Sequence, residues 1–430
     1  MELNGLSIDQ APPISAPLRF FLTAPLFGVL AGILIFFSDA TTLMSRFSTE
    51  SIVITHVITI GFLGFVMLGA MTQMLPVLAG AKIPKVKSIA SISHIFLVLG
   101  SVFMFFGFYQ SNAFYNSIAF FGLGSGFLLI LGAIAISLKS VIHFNATVKG
   151  ISVSIFFAFS IVLMGLYLLF SYITQEISAM HHIVANIHSV WAIFGFAGIL
   201  IIGVSFQVLP MFYVAPHFKD FCLDRVIPII SVGLFAWLGV NIFTPEYAYI
   251  AKAWVALFFW AFTTTVWLKL SRRRRPITDI TIWYWRSSSI FFTLGLFSWV
   301  FGEYFNNEYI VIVSILIGAG FILSTMIGML YKIIPFLVWF HLNAKGYMSI
   351  PTMNEMINKN VSKLQFILFI ASLLGFIVSF FVPELLKASA ISFILSMIVL
   401  EYNIIMPVLL YKKTLQTKPD FDMNMMQVAN

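Results

Sequence analysis

The chain has 430 residues, of which 60% are hydrophobic and only 9% are charged, with a formal net charge of +8 at pH 7. Soluble domains carry about 25% charged residues, and the mean hydropathy here is +1.00, so a soluble fold is excluded. The single cysteine, Cys222, excludes an intramolecular disulfide and a cysteine-ligated cluster. The apolar runs are about 20 residues long, which is the length of a helical membrane span. We therefore expect an all-α membrane protein.

Twelve transmembrane helices are predicted along the chain. Their approximate bounds are 18–37, 52–79, 89–108, 118–138, 151–170, 183–214, 226–243, 249–268, 288–304, 310–340, 364–382 and 388–411. The first 17 residues are polar and proline-rich, so a cleavable signal peptide is not expected. We expect a single membrane domain over 1–430, with short tails over 1–17 and 412–430.

The basic residues lie mostly on one side of these spans. With the N-terminus inside, all 24 lysines and arginines fall on the inner side except Arg46, Lys252, Lys387 and the membrane-embedded Lys332. This positive-inside distribution predicts a multi-pass protein of the bacterial inner (cytoplasmic) membrane with both termini cytoplasmic. The run of four arginines at 272–275 then lies beside anionic lipid headgroups. We therefore expect the lipid bilayer, and not nucleic acid, as the partner of the positive charge.

Three of the spans carry the same sequence pattern. The second contains GFLGFVMLGAMTQMLP, the sixth GFAGILIIGVSFQVLP and the tenth GFILSTMIGMLYKIIP. The positions that align without a gap are Gly61, Gly195 and Gly320; Gly69, Gly203 and Gly328; Gln73, Gln207 and Lys332; and Pro76, Pro210 and Pro335. Because the copies recur four spans apart, we expect three four-helix units, over about 18–147, 148–281 and 282–411, with pseudo-threefold symmetry.

This arrangement, with THVITIGFLGFVMLGA as the second span, resembles the catalytic subunit of the heme-copper oxidases. In that family the second, sixth and tenth helices supply metal ligands, and the hemes lie towards the outer face. The resemblance implies that His56 occupies the place of a low-spin heme ligand. The stretch APLRFFLTAPLFGVL is also similar to the N-terminal region of NnrS, a family of twelve-helix heme and copper membrane proteins associated with the response to nitric oxide.

The sequence departs from the oxidase pattern where that pattern needs most histidines. The tenth span contains no histidine, whereas the oxidases have a His-x-His pair there. The seventh and eighth spans also lack the histidine pair that would hold copper. We therefore expect no complete oxygen-reducing centre.

The remaining outer-side histidines are the candidates for a cofactor or metal site. His56 and His188 are predicted to bind heme, because an ionisable residue inside a span is a functional candidate and imidazole suits both iron and copper. His181 and His182 are weaker metal candidates, since interfacial histidines bonded to loops give the same pattern. Met326 is a candidate axial sulfur ligand, and core packing is the alternative for its thioether.

Four polar residues lie within spans on the inner side. Gln73, Gln207 and Lys332 occupy the same repeat position, which predicts a polar ring near the inner ends of the three repeated helices. Glu401 lies in the twelfth span at a depth similar to that of Lys332. Because an unpaired charge in a span is costly, we expect a Lys332–Glu401 salt bridge.

The leading interpretation is a heme-binding membrane protein, with copper as a second candidate metal, in respiration or nitric oxide handling. Whether it is an enzyme is open, and an enzyme of this kind would be an oxidoreductase. Electrons would have to come from a donor protein or respiratory subunit, because the chain has no c-type heme motif. The alternatives are a cofactor-free transporter or channel and a non-catalytic assembly partner of a respiratory complex.

Overall fold

The computed structural model describes residues 12–141, 144–274, 279–302 and 309–421. The described residues form helices and no strands. The long helices, three of which are built from consecutive segments, are α1 (Ser15–Phe37), α2 (Thr49–His56, Val57–Gly64 and Phe65–Ala79), α3 (Val86–Tyr109), α4 (Ala113–Leu138), α5 (Ala146–Thr174), α6 (His181–Val190, Trp191–Gly198 and Ile199–Tyr213), α7 (Asp220–Phe243), α8 (Ala248–Ser271), α9 (Ile280–Phe301), α10 (Tyr309–Val313, Ser314–Leu323 and Ser324–Asn343), α11 (Lys359–Val378) and α12 (Leu385–Thr414).

Eleven of these helices are long and apolar enough to cross a membrane. The exception within the described residues is α9, which has the length of a span but contains tryptophan, tyrosine, serine and Arg286, and these residues lower its hydropathy. The chain is therefore an all-α, multi-pass membrane protein. The count of twelve spans stays a prediction.

The start of α9 differs from the sequence prediction. The ninth span was predicted from residue 288, whereas the helix begins at Ile280. Asp279 caps it, because its Oδ1 accepts hydrogen bonds from the backbone nitrogens of Thr281 and Ile282. A carboxylate at this position satisfies nitrogens that have no partner within the helix. The first two turns of α9, which the hydropathy pattern did not include in the predicted span, are therefore stabilised by a cap.

The helices close into a ring. Consecutive helices α3–α4, α4–α5, α7–α8, α8–α9 and α11–α12 pack against each other, and α12 packs against α1. Smaller contacts of α1 with α3, α5 with α7 and α9 with α11 complete the ring. Within the ring, α1 packs on α2, α5 on α6, and α9 on α10. The three helices that carry the repeated sequence are thus each held by the helix that precedes them, and this contact occurs at three places in the chain.

The repeated glycines lie where these paired helices approach most closely. A Cβ at Gly61 would overlap the ring of Phe27. The corresponding glycines of α6 and α10 face Phe157 and Phe291 in the same way. At the second glycine of the repeat in α6, a Cβ at Gly203 would lie 2.8 Å from the nearest Cα of the preceding helix, too close for a side chain. Each glycine therefore provides space for an aromatic ring or a helix backbone.

Each repeated helix is π-helical around its first conserved glycine. The segments are Val57–Gly64, Trp191–Gly198 and Ser314–Leu323, and each ends three residues after that glycine. A π-helix bonds residue i to i+5, so it holds more residues per turn than an α-helix and rotates the helical segment before it relative to the segment after it. Residues before and after each π-helical segment therefore do not share the helix faces that the spacing of a regular α-helix would give them.

Candidate functional site

The structure brings His56 and His188 together. His56 is the last residue before the π-helical segment of α2, and His188 lies three residues before that of α6. Their ring centroids are 6.3 Å apart and the ring planes are inclined by 24°. Both side chains are half-buried. The two histidines therefore face each other between the first and second repeated helices, in the outer half of the bundle according to the predicted topology.

Each of these rings is oriented by a main-chain carbonyl. His56 Nδ1 lies 2.7 Å from the carbonyl oxygen of Ile52, one turn earlier in its own helix. His188 Nδ1 lies 3.0 Å from the carbonyl oxygen of Ile161 in α5. A neutral imidazole bonded in this way carries its proton on Nδ1, so Nε2 keeps its lone pair. Within the described part of the chain neither Nε2 makes a hydrogen bond.

Glycines shape the surroundings of the pair. A Cβ at Gly165 would lie 3.1 Å from His188 Cε1, so the glycine lets the imidazole lie against α5. Gly64 is buried, yet a Cβ there would meet only a backbone oxygen of its own helix. The space beside Gly61 is filled by the ring of Phe27. Open space beside α2 is therefore at Gly64.

His181 and His182 lie at the beginning of α6, and neither is joined to the pair by a described contact. His181 is buried, and its Nδ1 lies 3.0 Å from Ser171 Oγ. His182 is exposed and packs edge-on against Phe47. Among the described residues no group of three or more histidine, cysteine or acidic side chains could hold a metal ion. Of the four outer-side histidines, His56 and His188 are thus the two whose rings the structure brings to face each other.

Met326 is buried near the start of the last segment of α10. In the repeat register it corresponds to Met67, which lies eleven residues beyond His56. Eleven residues of helix span about 16 Å. This depth agrees with core packing of Met326, and its role as an axial ligand stays a prediction without a described contact to either histidine.

The inner-side histidines have structural partners. His94 Nε2 lies 2.9 Å from Thr23 Oγ1, between the rings of Phe20 and Phe65. His341 bonds the carbonyl oxygens of Leu337 and Pro12. These contacts give His94 and His341 structural roles. His143, and Glu303 near the end of the predicted ninth span, lie outside the described residues.

The predicted ring of Gln73, Gln207 and Lys332 is wrong. A cavity of about 30 Å³ does lie between α2, α6 and α10 at this level, but of these three residues only Gln73 lines it. The register-equivalent positions Met74, Val208 and Ile333 line it as well. Gln207 is half-buried beside the cavity, and Lys332 turns away from it. The three equivalent polar side chains therefore have different environments.

The predicted Lys332–Glu401 salt bridge is also wrong. Lys332 Nζ lies 2.5 Å from Asp279 Oδ2 and 3.3 Å from Asn354 Oδ1. The side chains of Lys332 and Asp279 are 13% and 29% exposed. Glu401 Oε2 is buried and has no hydrogen-bond partner in the described structure. The sequence had placed Asp279 in a loop, and its true position at the start of α9 makes it the nearer anion.

A buried polar network in the last four helices was missed by the sequence analysis. Gln365 Oε1 accepts hydrogen bonds from the hydroxyls of Tyr284 and Tyr331. Gln365 Nε2 donates to Ser396 Oγ, and Asn403 Nδ2 donates to the Tyr331 hydroxyl. All five side chains are buried, and they join α9, α10, α11 and α12. The only signal in the sequence was the presence of an amide within each of the last two spans.

Comparison with known proteins does not assign the chain to a family. No protein-family model matches the chain, and no match is found among curated proteins. What the fold and the site define is a multi-pass helical membrane protein with an oriented pair of histidines within its bundle.

Proposed function

We propose that this chain is a heme-binding membrane protein of the heme-copper-oxidase-like type, in which His56 and His188 hold one iron from opposite sides. One observation carries the proposal: two membrane-embedded imidazoles face each other, each oriented by a carbonyl at Nδ1 and each with an Nε2 that makes no hydrogen bond among the described residues. Metal-bound histidines commonly have their second nitrogen fixed by such a carbonyl.

The distance between the two rings supports the proposal. Two metal–nitrogen bonds of about 2.0 Å, with about 1.1 Å from each nitrogen to its ring centroid, separate two imidazoles on opposite sides of one metal by about 6.2 Å. The observed separation is 6.3 Å. Two imidazoles in direct stacking contact would have ring centroids closer together than this. The two rings are also not hydrogen-bonded to each other through Nε2 among the described residues. The spacing therefore suits an atom held between the rings.

The surrounding residues would position the ligands. Ile52 and Ile161 supply the carbonyl oxygens that hold the Nδ1 protons, and Gly165 gives the His188 ring its place. The buried space beside Gly64 lies two turns from His56 and provides room next to α2. A heme held by these two imidazoles would supply one-electron transfer at this position.

The proposed role is in respiration or nitric oxide handling, without a complete oxygen-reducing centre. An electron-donor protein or respiratory subunit would be the partner, and the protein would lie in the bacterial inner membrane with both termini in the cytoplasm. The distribution of basic residues supports this orientation. Copper is the second candidate for the same pair, because a site with two imidazoles also suits that metal.

The test is the heme and copper content of protein purified from cells supplied with both. We expect a heme absorption spectrum for the parent and its loss in both His56→Ala and His188→Ala. The matched control is His182→Ala, which removes a histidine at the outer end of α6, the helix that carries His188. This variant should retain heme. Copper in the parent, lost in the same two variants, would replace heme by copper in the proposal.

Two outcomes would reject the proposal. Heme retained at parental level in either histidine variant would exclude that residue as a ligand. A parent protein with neither heme nor copper would leave the cofactor-free transporter or channel and the assembly partner as the remaining functions.

A further inference from the structure

Glu401 is an acidic side chain near the middle of α12, and it takes part in neither the histidine pair nor the Gln365 network. The helix runs from Leu385 to Thr414, so roughly 20 Å of helix lies on each side of Glu401. The hydrocarbon core of a bilayer is about 30 Å thick. Glu401 therefore lies well inside the membrane, where lipid offers a carboxyl group no hydrogen bonds.

The carboxyl lies at the edge of the contact between α12 and α1. Two glycines of α1 face α12, and a Cβ on either of them would overlap a side chain of that helix. The two pairs are Gly28 with Met397 and Gly32 with Ile394. The helices are thus antiparallel, and Glu401, one turn beyond Met397, lies at the level of Ala24. Because Glu401 is half-buried and the adjacent Tyr402 is exposed, the carboxyl adjoins the lipid-facing surface of the bundle.

The carboxyl has no partner in the described part of the chain. Its Oε2 is buried and makes no hydrogen bond among the described residues. Lys332, the cation expected to pair with it from the sequence, is bound instead to Asp279. A carboxylate at this place would therefore be a charge inside the membrane with no described counter-ion.

The charged and titratable side chains around α12 are held elsewhere. The helices that pack most closely on α12 are α1, α10 and α11. Their charged or titratable residues are Arg19 of α1, Tyr309, Tyr331, Lys332 and His341 of α10, and Lys359 and Lys363 of α11. On α12 itself they are Lys387, Tyr402, Tyr411, Lys412 and Lys413. The lysines of α11 and α12 all lie in the first two turns or the last turn of their helices, away from the level of Glu401.

The remaining groups of α1 and α10 have other positions or partners. Arg19 lies more than a turn closer to the inner end of α1 than Ala24, and its Nε donates to the carbonyl oxygen of Ser15. The Tyr331 hydroxyl is bonded within the Gln365 network, and His341 bonds two main-chain carbonyls. Tyr309 begins α10 at its outer end. None of these groups is therefore bonded to Glu401.

We propose that Glu401 is a proton-binding site within the membrane, at which the carboxyl group carries a proton at neutral pH. An ionised carboxylate without a counter-ion is strongly disfavoured in an apolar medium, and such a group takes up a proton instead. Embedded carboxyl groups are the residues through which membrane proteins commonly relay protons. The site is separate from the histidine pair and does not depend on heme binding there.

The position of the carboxyl also defines which reagents reach it. At the edge of the α1–α12 contact it is accessible from lipid, whereas its depth keeps it from water. Dicyclohexylcarbodiimide dissolves in the bilayer and reacts with a protonated carboxyl group. The O–H of the acid adds across one C=N bond of the reagent, and the O-acylisourea formed rearranges to an N-acylurea, which keeps the whole reagent on the side chain. Glu246, which is exposed between α7 and α8, is the matched acid in water.

Carbodiimide labelling of the parent protein in lipid vesicles at neutral pH, read by mass spectrometry of its peptides, tests the proposal. We expect dicyclohexylcarbodiimide to label Glu401 and not Glu246. A water-soluble carbodiimide with an added amine should label Glu246 and not Glu401. In Glu401→Gln, an amide of the same shape, the label from the lipid-soluble reagent should be lost. The infrared spectrum of the parent should contain the C=O stretching band of a protonated carboxyl group, and this band should be absent from Glu401→Gln.

Three results would overturn the proposal. No label on Glu401 from the lipid-soluble reagent would mean that the residue is not a lipid-accessible acid. Equal labelling of Glu401 and Glu246 by the water-soluble reagent would place the carboxyl in water. A parent spectrum without the band of a protonated carboxyl group would mean that Glu401 is ionised. Each of these results is read from the parent, so the test does not require Glu401→Gln to fold.

Discussion

Two polar regions lie inside this bundle, and they differ in how their hydrogen bonds are used. In the last four helices, Gln365 connects two tyrosine hydroxyls and a serine, so its amide oxygen and nitrogen both have partners. Between α2 and α6, His56 and His188 each make one bond, through Nδ1, and leave Nε2 without one among the described residues. In the first region Gln365 has no polar atom left for a ligand, whereas the histidine pair keeps two Nε2 nitrogens for one.

The difference assigns different roles to similar residue types. A fully bonded buried network fixes the relative positions of the helices that contribute to it, and removing one member leaves the others unsatisfied. A pair of oriented rings that each keep one nitrogen for a ligand does little for the packing of its helices. We therefore expect substitutions in the network to change stability first, and substitutions around the histidines to change cofactor content first.

The largest effect on stability is expected for Gln365→Leu. This change removes the acceptor of the Tyr284 and Tyr331 hydroxyls and the donor to Ser396, all of which are buried. The free energy of unfolding should fall by about 3 kcal/mol, because several buried groups lose partners together. Thermal unfolding in detergent measures it, with Gln207→Leu as the control. Equal stability of the two variants would show that the network does not fix these helices.

A somewhat smaller loss is expected for Gly61→Ala. The added methyl group would overlap the Phe27 ring, and overpacking of this kind costs about 2 kcal/mol. Gly132→Ala is the matched control, since a Cβ at Gly132 meets nothing within 4 Å. Thermal unfolding should separate the two variants, and Phe27→Leu in the Gly61→Ala background should restore part of the loss. If both alanine variants unfold alike, α1 and α2 are not in close contact at this glycine.

Gly165→Ala sharpens the comparison at the histidine pair. Its Cβ would lie 3.1 Å from His188 Cε1, so the imidazole must shift by a few tenths of an ångström. Retention of heme should weaken about tenfold, which corresponds to about 1.4 kcal/mol. Stability should change much less than in Gln365→Leu. Heme loss to excess apomyoglobin measures the retention, with Gly132→Ala as control. Parental retention in Gly165→Ala would show that the position of the His188 ring is not set by α5.

The smallest effect is expected for Lys332→Met. The ion pair with Asp279 is 2.5 Å long and largely shielded, but Asp279 keeps its hydrogen bonds to the start of α9. The expected loss is about 1 kcal/mol. Lys149→Met removes an exposed pair with Asp224, whose side chains are 49% and 57% exposed, and should change stability by about 0–0.5 kcal/mol. Chemical denaturation compares the two. If Lys332→Met loses no more stability than Lys149→Met, the ion pair of Lys332 is no better shielded from solvent than the exposed pair of Lys149.

The helical architecture was readable from the sequence because it depends on apolar length alone. The all-α membrane fold is confirmed, and residues of the three helices that share the repeat register line one cavity. The grouping into three four-helix units stays a prediction, although the contacts of Gly61, Gly195 and Gly320 with aromatic rings agree with it.

The site was only partly readable, for physical reasons that specific residues illustrate. His56 and His188 are two residues out of register, and only the π-helical segments next to them, which propensities do not reveal, define how the two rings meet. Lys332 was paired with the wrong carboxylate because the cap at Asp279 extends α9 beyond its apolar part. The Gln365 network depends on which helix faces meet, and a single sequence does not contain that information.

The most direct test of the central claim is an experimental structure of the protein purified from heme-replete cells, with anomalous scattering used to locate metal. We predict a metal between His56 and His188, about 2.0–2.1 Å from each Nε2, with both Nδ1 atoms still bonded to Ile52 and Ile161. Direct contact between the two imidazole rings with no metal between them, or a metal bound elsewhere with neither Nε2 as a ligand, would contradict the account.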